Sequence, residues 1–144
     1  MREVLFVCVH NAGRSQMAEA FLNRLAEERS VDMRGVSAGT EPGDRVHPEV
    51  AAAMREVGID IFRNHPKLLT NEMVRLADRV ITMGCAPDAT SCPAIFLKKV
   101  DDWALPDPHG QPSYRVREIR DEIQRRVKAL LDEIGRTEPG SREG

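Results

Sequence analysis

The sequence predicts an α/β fold of three layers: a four-stranded parallel sheet with helices on both faces. Two observations lead there. Short apolar runs alternate along the chain with amphipathic helical patterns, as in parallel strands joined by crossover helices. The first run, residues 4–9 (VLFVCV), is continuously apolar and rich in β-branched residues, which suits a strand buried on both faces. The length of 144 residues fits one domain with one sizeable core.

The elements follow in order. After the first strand, Met17, Ala18, Phe21, Leu22 and Leu25 recur with helical spacing from Ser15 onward. Residues 33–38 read as a second strand, closed by Gly39. His47-Pro48 opens a second helix, because proline suits the first turn. Ala51, Met54 and Val57 supply its inner stripe, and Gly58 its C-terminal cap. Thr70 caps a short helix that runs to Leu76. Residues 79–83 (RVITM) and 94–98 (AIFLK) read as the third and fourth strands. Val116, Ile119, Ile123, Val127, Leu130, Leu131 and Ile134 mark the most regular helix, which Gly135 is expected to end. The expected organisation is one domain over residues 1–135 and a flexible tail over 136–144.

Composition narrows the function. Charged residues make up 31% of the chain, yet the net charge is only -2. That argues against a basic face for nucleic acid or membrane lipid, while leaving room for a local cationic pocket. Aromatics at 4% argue against stacking platforms for single-stranded nucleic acid. No apolar run reaches the roughly 18 residues of a spanning helix, and the first residues lack the shape of a signal peptide. A cytoplasmic location is the expectation. Three cysteines, Cys8, Cys85 and Cys92, make a poor disulfide scaffold and suit reactive or buried thiols.

The loop from the first strand to the first helix reads CVHNAGRS. Backbone N–H groups of Val9, His10, Asn11, Ala12, Gly13, Arg14 and Ser15 can curl around an anion, aided by the helix dipole. Asn11 and Gly13 suit the positive-φ positions of a tight cradle. Arg14 offers a planar fork for two oxygens of a tetrahedral oxyanion. Cys8 falls at the cradle's base, where the same dipole favours a nucleophilic thiolate, and Ser15 can donate to its sulfur. The alternative is an inert buried cysteine beside a solvated arginine.

These residues carry a resemblance. CVHNAGRS is similar to the anion-binding loop of the low-molecular-weight tyrosine phosphatase fold. RSQMAEA resembles the arsenate reductases that share that fold. A proline commonly follows the Arg-Ser pair in the phosphatases, and this chain has Gln16. The resemblance extends from Val4 to the last helix.

A thiolate that attacks an oxyanion needs a proton donor for the departing oxygen. DDWALPDPHG offers Asp101, Asp102 and Asp107. The resemblance implies that Asp107, in its Asp-Pro pair, is the general acid. The phosphatases often place tyrosines next; here His109 and Gly110 follow, and Tyr114 lies further on. That departure disfavours a phosphotyrosine protein as substrate.

Cys85 and Cys92 stand seven apart in MGCAPDATSCP. On a straight helix their axial separation would be about 10 Å, too far for a disulfide, so pairing requires the segment to loop or unwind. They fit buried thiols, while the spacing is not a usual zinc pattern. The resemblance implies a relay. Cys8 attacks arsenate, Cys85 attacks Cys8 as arsenite leaves, and Cys92 attacks Cys85. The Cys85–Cys92 disulfide then awaits a dithiol protein. Many thioredoxin-coupled members carry a further cysteine just before the loop arginine, where this chain has Gly13. The HNAGRS loop is also similar to branches that draw on a small thiol such as mycothiol, but those usually lack the second cysteine pair. Thioredoxin is therefore the favoured reductant.

The resemblance also implies that Glu19 and Ser37 support the loop, in some relatives around a structural potassium ion. No other cofactor or metal is expected. Two further readings remain: a phosphatase acting on tyrosine-phosphorylated proteins or small phosphomonoesters with the same Cys/Arg/Asp site, and a non-catalytic oxyanion-binding module.

Overall fold

A computed structural model describes residues 2–83 and 100–137. Their order is β1 (Arg2–Cys8), α1 (Arg14–Glu28), β2 (Met33–Gly39), α2 (Pro48–Glu56), α3 (Asn71–Leu76), β3 (Arg79–Thr82), β4 (Val100–Asp102) and α4 (Ser113–Thr137). The four strands form one parallel sheet in the order β2-β1-β3-β4. The three-layer α/β architecture is as expected.

β1 explains its own sequence. Val4, Phe6 and Cys8 join the core beneath the faces of α1, α2 and α4. Leu5 and Val7 join a second cluster with Val74 of α3 and Val80 of β3. Both faces of the strand are thus covered, and the run has no polar alternation. All seven apolar positions named for α4 are buried.

The caps follow local chemistry. Thr70 Oγ1 accepts the Met73 N–H at 3.2 Å. Pro48 occupies the first turn of α2. Gly58, at φ +82°, ends that helix: its N–H reaches Arg55 O at 3.0 Å and the Ile59 N–H reaches Met54 O at 3.1 Å. This 6→1 and 5→2 pair of bonds needs a left-handed residue, which glycine supplies without a Cβ penalty.

Two boundaries differ from expectation. α4 runs through Gly135 to Thr137; glycine in a helix costs only about 1 kcal/mol against alanine, which did not stop the last turn. The expected strand at residues 94–98 lies outside the described residues, and β4 comes later, as the short triplet Val100–Asp102. Among the described residues no helix is long and apolar enough to cross a membrane.

The chain leaves β1, places β2 on one side of it, and returns to place β3 on the other. This reversal leaves a crevice at the carboxyl end of β1, where ligands bind in open α/β sheets.

α2 and α4 are joined by ion pairs. Arg117 grips both oxygens of Glu56 at 2.8–3.2 Å, and Arg120 Nη1 reaches Glu56 Oε1 at 2.8 Å. Hydrogen bonds from Arg117 and then Arg120 hold the Glu56 carboxyl down to about 2, against an ordinary 4.5. A depressed carboxylate contributes stability that is present above its unfolded value and lost as pH falls toward its folded one. Glu56→Gln is therefore expected to lower the melting temperature at pH 7, with the gap to wild type closing between about pH 4.5 and pH 2. Because the pair is exposed, added salt should narrow the gap too. A gap that does not change across that range would refute the assignment.

Candidate active site

Cys8 ends β1, in register with Gly39 of β2. The loop that follows has its carbonyls turned outward. Cys8 O accepts from Thr40 N at 3.2 Å, Val9 O from Glu41 N at 2.8 Å, and His10 O from Gly43 N at 3.0 Å. Asn11 O takes the Gln16 side-chain amide at 3.1 Å, Ala12 O the His47 N–H at 2.9 Å, and Gly13 O the Met17 N–H at 3.0 Å. In a trans peptide the N–H points opposite to the preceding C=O, and no peptide bond described here is cis. The N–H groups of Val9, His10, Ala12, Gly13 and Arg14, residues that line the concave side, are therefore left for an anion.

That concavity is a cavity of about 140 Å³, lined by Cys8, Val9, His10, Ala12, Gly13, Arg14, His47 and Asp107. The N-terminus of α1 opens onto it, so dipole and N–H groups together favour an anion. The thiol of Cys8, only 4% exposed, lies at its floor.

Asn11 and Ser15, expected to touch the anion, are fully buried and line no part of the cavity. They work behind it. Lys67 N donates to Asn11 Oδ1 at 2.8 Å, which fixes the oxygen end of that amide, so Nδ2 faces Ser15 Oγ at 2.8 Å. Ser15 Oγ, which accepts from Asn11, lies 3.3 Å from Cys8 Sγ, where its hydroxyl can donate once the sulfur is a thiolate. A donor to sulfur stabilises the thiolate. Asn11 has the expected positive φ, +52°.

Gly13 corrects the expectation. Its φ is −142°, so it is not a left-handed position. Space is its reason: a Cβ there would lie 3.3 Å from Pro108 Cγ and 3.7 Å from His47 Cδ2. Glycine lets the Asp-Pro loop close onto the cradle.

Arg14 reaches across the sheet. Its Nη1 donates to Met83 O at 2.6 Å and to Leu105 O at 2.7 Å, so one guanidinium gathers the ends of three strands. Gln16, in the proline position of the phosphatases, is fully buried. Its Nε2 bonds Asn11 O and Oδ1, both at 3.1 Å, and its Oε1 accepts from Asn64 at 3.3 Å.

Of the three candidate acids, only Asp107 lines the cavity. Asp101 pairs with Arg79 at 3.2 Å, and Asp102 accepts from Thr82 within the sheet. His10 turns its ring to Glu41 O at 2.9 Å, while Tyr114 stays exposed on α4. Cys85 and Cys92 lie outside the described residues.

Glu19 and Ser37 do come together: Ser37 Oγ donates to Glu19 Oε1 at 2.6 Å. Lys67 Nζ stands 3.6 Å from that same oxygen. An ammonium already faces the carboxylate that potassium would need, so this donor set does not fit a further cation, and no step below uses one.

Sequence reading missed His47 and Gly39. His47 had a visible signal, since it begins the helix beside the loop. Gly39 had one only in its place at a strand end. A Cβ on Gly39 would lie 2.4 Å from Val9 O and 2.9 Å from Asn11 N.

Comparison with known proteins decides the family. Residues 3–139 match the model for low molecular weight phosphotyrosine protein phosphatases. The chain belongs to that family. A relative from Halobacterium salinarum, provisionally named an arsenate reductase, is 43% identical over 90% of this chain and 90% of its own. A solved arsenate reductase in a phosphate-binding state is 36% identical, with a TM-score of 0.79, over 93% of this chain and 99% of that one. The thioredoxin-dependent arsenate reductase of Corynebacterium glutamicum is 36% identical, with a TM-score of 0.70, over 93% of this chain and 62% of that one. Within the family, then, this chain is similar to proteins named for arsenate as well as to phosphatases.

Proposed function

We propose that this chain reduces arsenate to arsenite, with Cys8 as the nucleophile and thioredoxin as the final reductant. The observation that carries the reading is the cradle with a thiol at its floor and, among the described residues, one carboxyl, Asp107, on its wall. The relatives' names give the substrate, and the Corynebacterium protein's name supports the reductant.

The chemistry runs in four exchanges. Arsenate seats its oxygens on the N–H groups of Val9, His10, Ala12 and Gly13 and on Arg14. Cys8 thiolate bonds to arsenic as one As–O bond breaks, and that oxygen leaves as water with a proton from Asp107. Cys85 thiolate then attacks Cys8 Sγ. The S–As electron pair stays with arsenic, which departs as arsenite, and a Cys8–Cys85 disulfide remains. Cys92 thiolate attacks Cys85, releasing Cys8. The dithiol of thioredoxin reduces the Cys85–Cys92 disulfide by exchange, and no metal enters. Cytosol, where thiols are kept reduced, suits this cycle.

Phosphate fits the same cradle but does not accept electrons from thiols. Hydrolysis of small aryl phosphates is therefore a side reaction of Cys8, Arg14 and Asp107 that needs neither Cys85 nor Cys92. With thioredoxin, thioredoxin reductase and NADPH, Cys8→Ser, Cys85→Ser and Cys92→Ser are each expected to abolish turnover of arsenate. Any aryl phosphatase activity should survive Cys92→Ser. If both distal variants reduced arsenate at the wild-type rate, the relay would be wrong. If in addition aryl phosphate were turned over efficiently, the phosphatase reading would replace it.

A further inference from the structure

The turn that carries Asp107 is shaped locally but held from afar. Asp107 Oδ1 accepts the His109 N–H at 3.0 Å, and Gln111 N returns to Pro108 O at 3.1 Å. Gly110, third in this turn, has φ +77°, as a type II turn requires. These bonds make the segment rigid but do not fix where it lies. Its position comes from α2. Glu49 Oε2 accepts the Gly110 N–H at 2.8 Å and stands 3.2 Å from His109 Nδ1. The His109 ring stacks on His47, with centroids 3.9 Å apart and planes 21° apart. Pro108, which is buried, fits over Gly13.

We propose that Glu49 and His109 are positioning residues, a latch that holds the Asp107 carboxyl against the cavity for proton donation. The inference rests on the reading of Asp107 as the acid. Oδ1 is committed to the His109 N–H, so Oδ2 carries the transferable proton. In the step itself Asp107 gives that proton to the oxygen leaving arsenic and is left as a carboxylate, to be reprotonated from solvent. Glu49 exchanges no proton. Burial works to raise its carboxyl, but the Gly110 N–H, its own N–H and the two histidines outweigh that and hold it below the ordinary carboxylate range. It therefore stays an acceptor throughout the cycle. Neither Glu49 nor His109 lines the cavity, so the latch acts through residues that do: Asp107, whose turn it holds, and His47, on which His109 stacks.

The test is a double-mutant cycle on kcat/KM for arsenate in the thioredoxin system. Glu49→Ala and His109→Ala are each expected to lower it about tenfold, a fraction of what a well-placed general acid contributes. Glu49→Gln, which keeps an acceptor for Gly110, should lose less than Glu49→Ala. In an Asp107→Asn background the same changes should alter kcat/KM by less than about twofold. Competitive inhibition by inorganic phosphate should stay within about twofold of wild type in the Glu49 and His109 single variants, because the loop of residues 8–15 is untouched. Full additivity with Asp107→Asn, or a parallel loss of phosphate inhibition, would overturn the latch. His109 is exposed, so His109→Ala tests the point even if changes at Glu49 disturb α2. An Asp107→Asn enzyme of wild-type kcat/KM would instead remove the acid assignment itself, and the latch with it.

Discussion

Arg14→Lys is expected to lower kcat/KM for arsenate by roughly 100- to 1,000-fold, the loss seen when one preorganised oxyanion donor is removed. The geometry explains why lysine cannot stand in. Nη1 of Arg14 is already shared between Met83 O and Leu105 O, at 2.6 and 2.7 Å. Arg14 also lines the cavity, and the remaining donors of its planar fork are what it can offer an oxyanion. A lysine ammonium is a point charge on a flexible stem. The two carbonyls would draw it in, and no fork would remain for two substrate oxygens. Phosphate inhibition should weaken in step, since both oxyanions use the same donors. The fold should survive, because the core does not include this side chain. Steady-state kinetics with arsenate, beside a thermal melt, checks both halves. A lysine enzyme within tenfold of wild type would show that Arg14 is a strut and not a ligand.

Gly39→Ala should damage the site although Gly39 does not itself line the cavity. The added methyl would lie 2.4 Å from Val9 O and 2.9 Å from Asn11 N, both backbone atoms. The strand cannot retreat, because Gly39 N donates to Lys67 O and Gly39 O accepts from Leu69 N, each at 2.8 Å. The cradle must therefore deform. Overpacking of this kind costs about 1–3 kcal/mol, which corresponds to a fall of about 4–10 °C in melting temperature at this size. Phosphate affinity should fall at least about tenfold, since donors displaced from their places lose most of their value. Calorimetric binding of phosphate together with a melt tests this. Wild-type values in both would mean that the loop accommodates the methyl and that close approach is not the reason for glycine.

What was legible in the sequence is what depends on neighbours along the chain. Residues 4–9 announced a strand covered on both faces. Pro48, Gly58 and Thr70 announced their helix ends, and the α4 stripe announced its buried face. The nucleophile, the arginine and the small residues of the loop were readable for the same reason, being packed into eight consecutive positions. β4 was hidden because Val100–Asp102 is one valine followed by two aspartates, too short and too polar to show an apolar period. The roles of Gly13, Gly39 and Glu49 were hidden because each is set by a residue distant along the chain: Pro108 for Gly13, Lys67 and Leu69 for Gly39, Gly110 for Glu49. No local pattern reports such contacts. Asp107 stood out from Asp101 and Asp102 only through family resemblance, and its wall position agrees with that choice.

The outward carbonyls of the cradle have a thermodynamic corollary. With the loop carbonyls engaged outward, the N–H dipoles of the cradle are gathered and partly stripped of water when the chain folds, before any ligand arrives. Their mutual repulsion weighs on the native state, and a bound oxyanion relieves it. Anything that binds the folded form alone shifts the folding equilibrium toward it. Inorganic phosphate is therefore expected to raise the melting temperature of this protein as its concentration rises. Under the proposed function, the resting form with phosphate in the cradle is then the most durable one, and arsenate has to displace a stabiliser before it can be reduced.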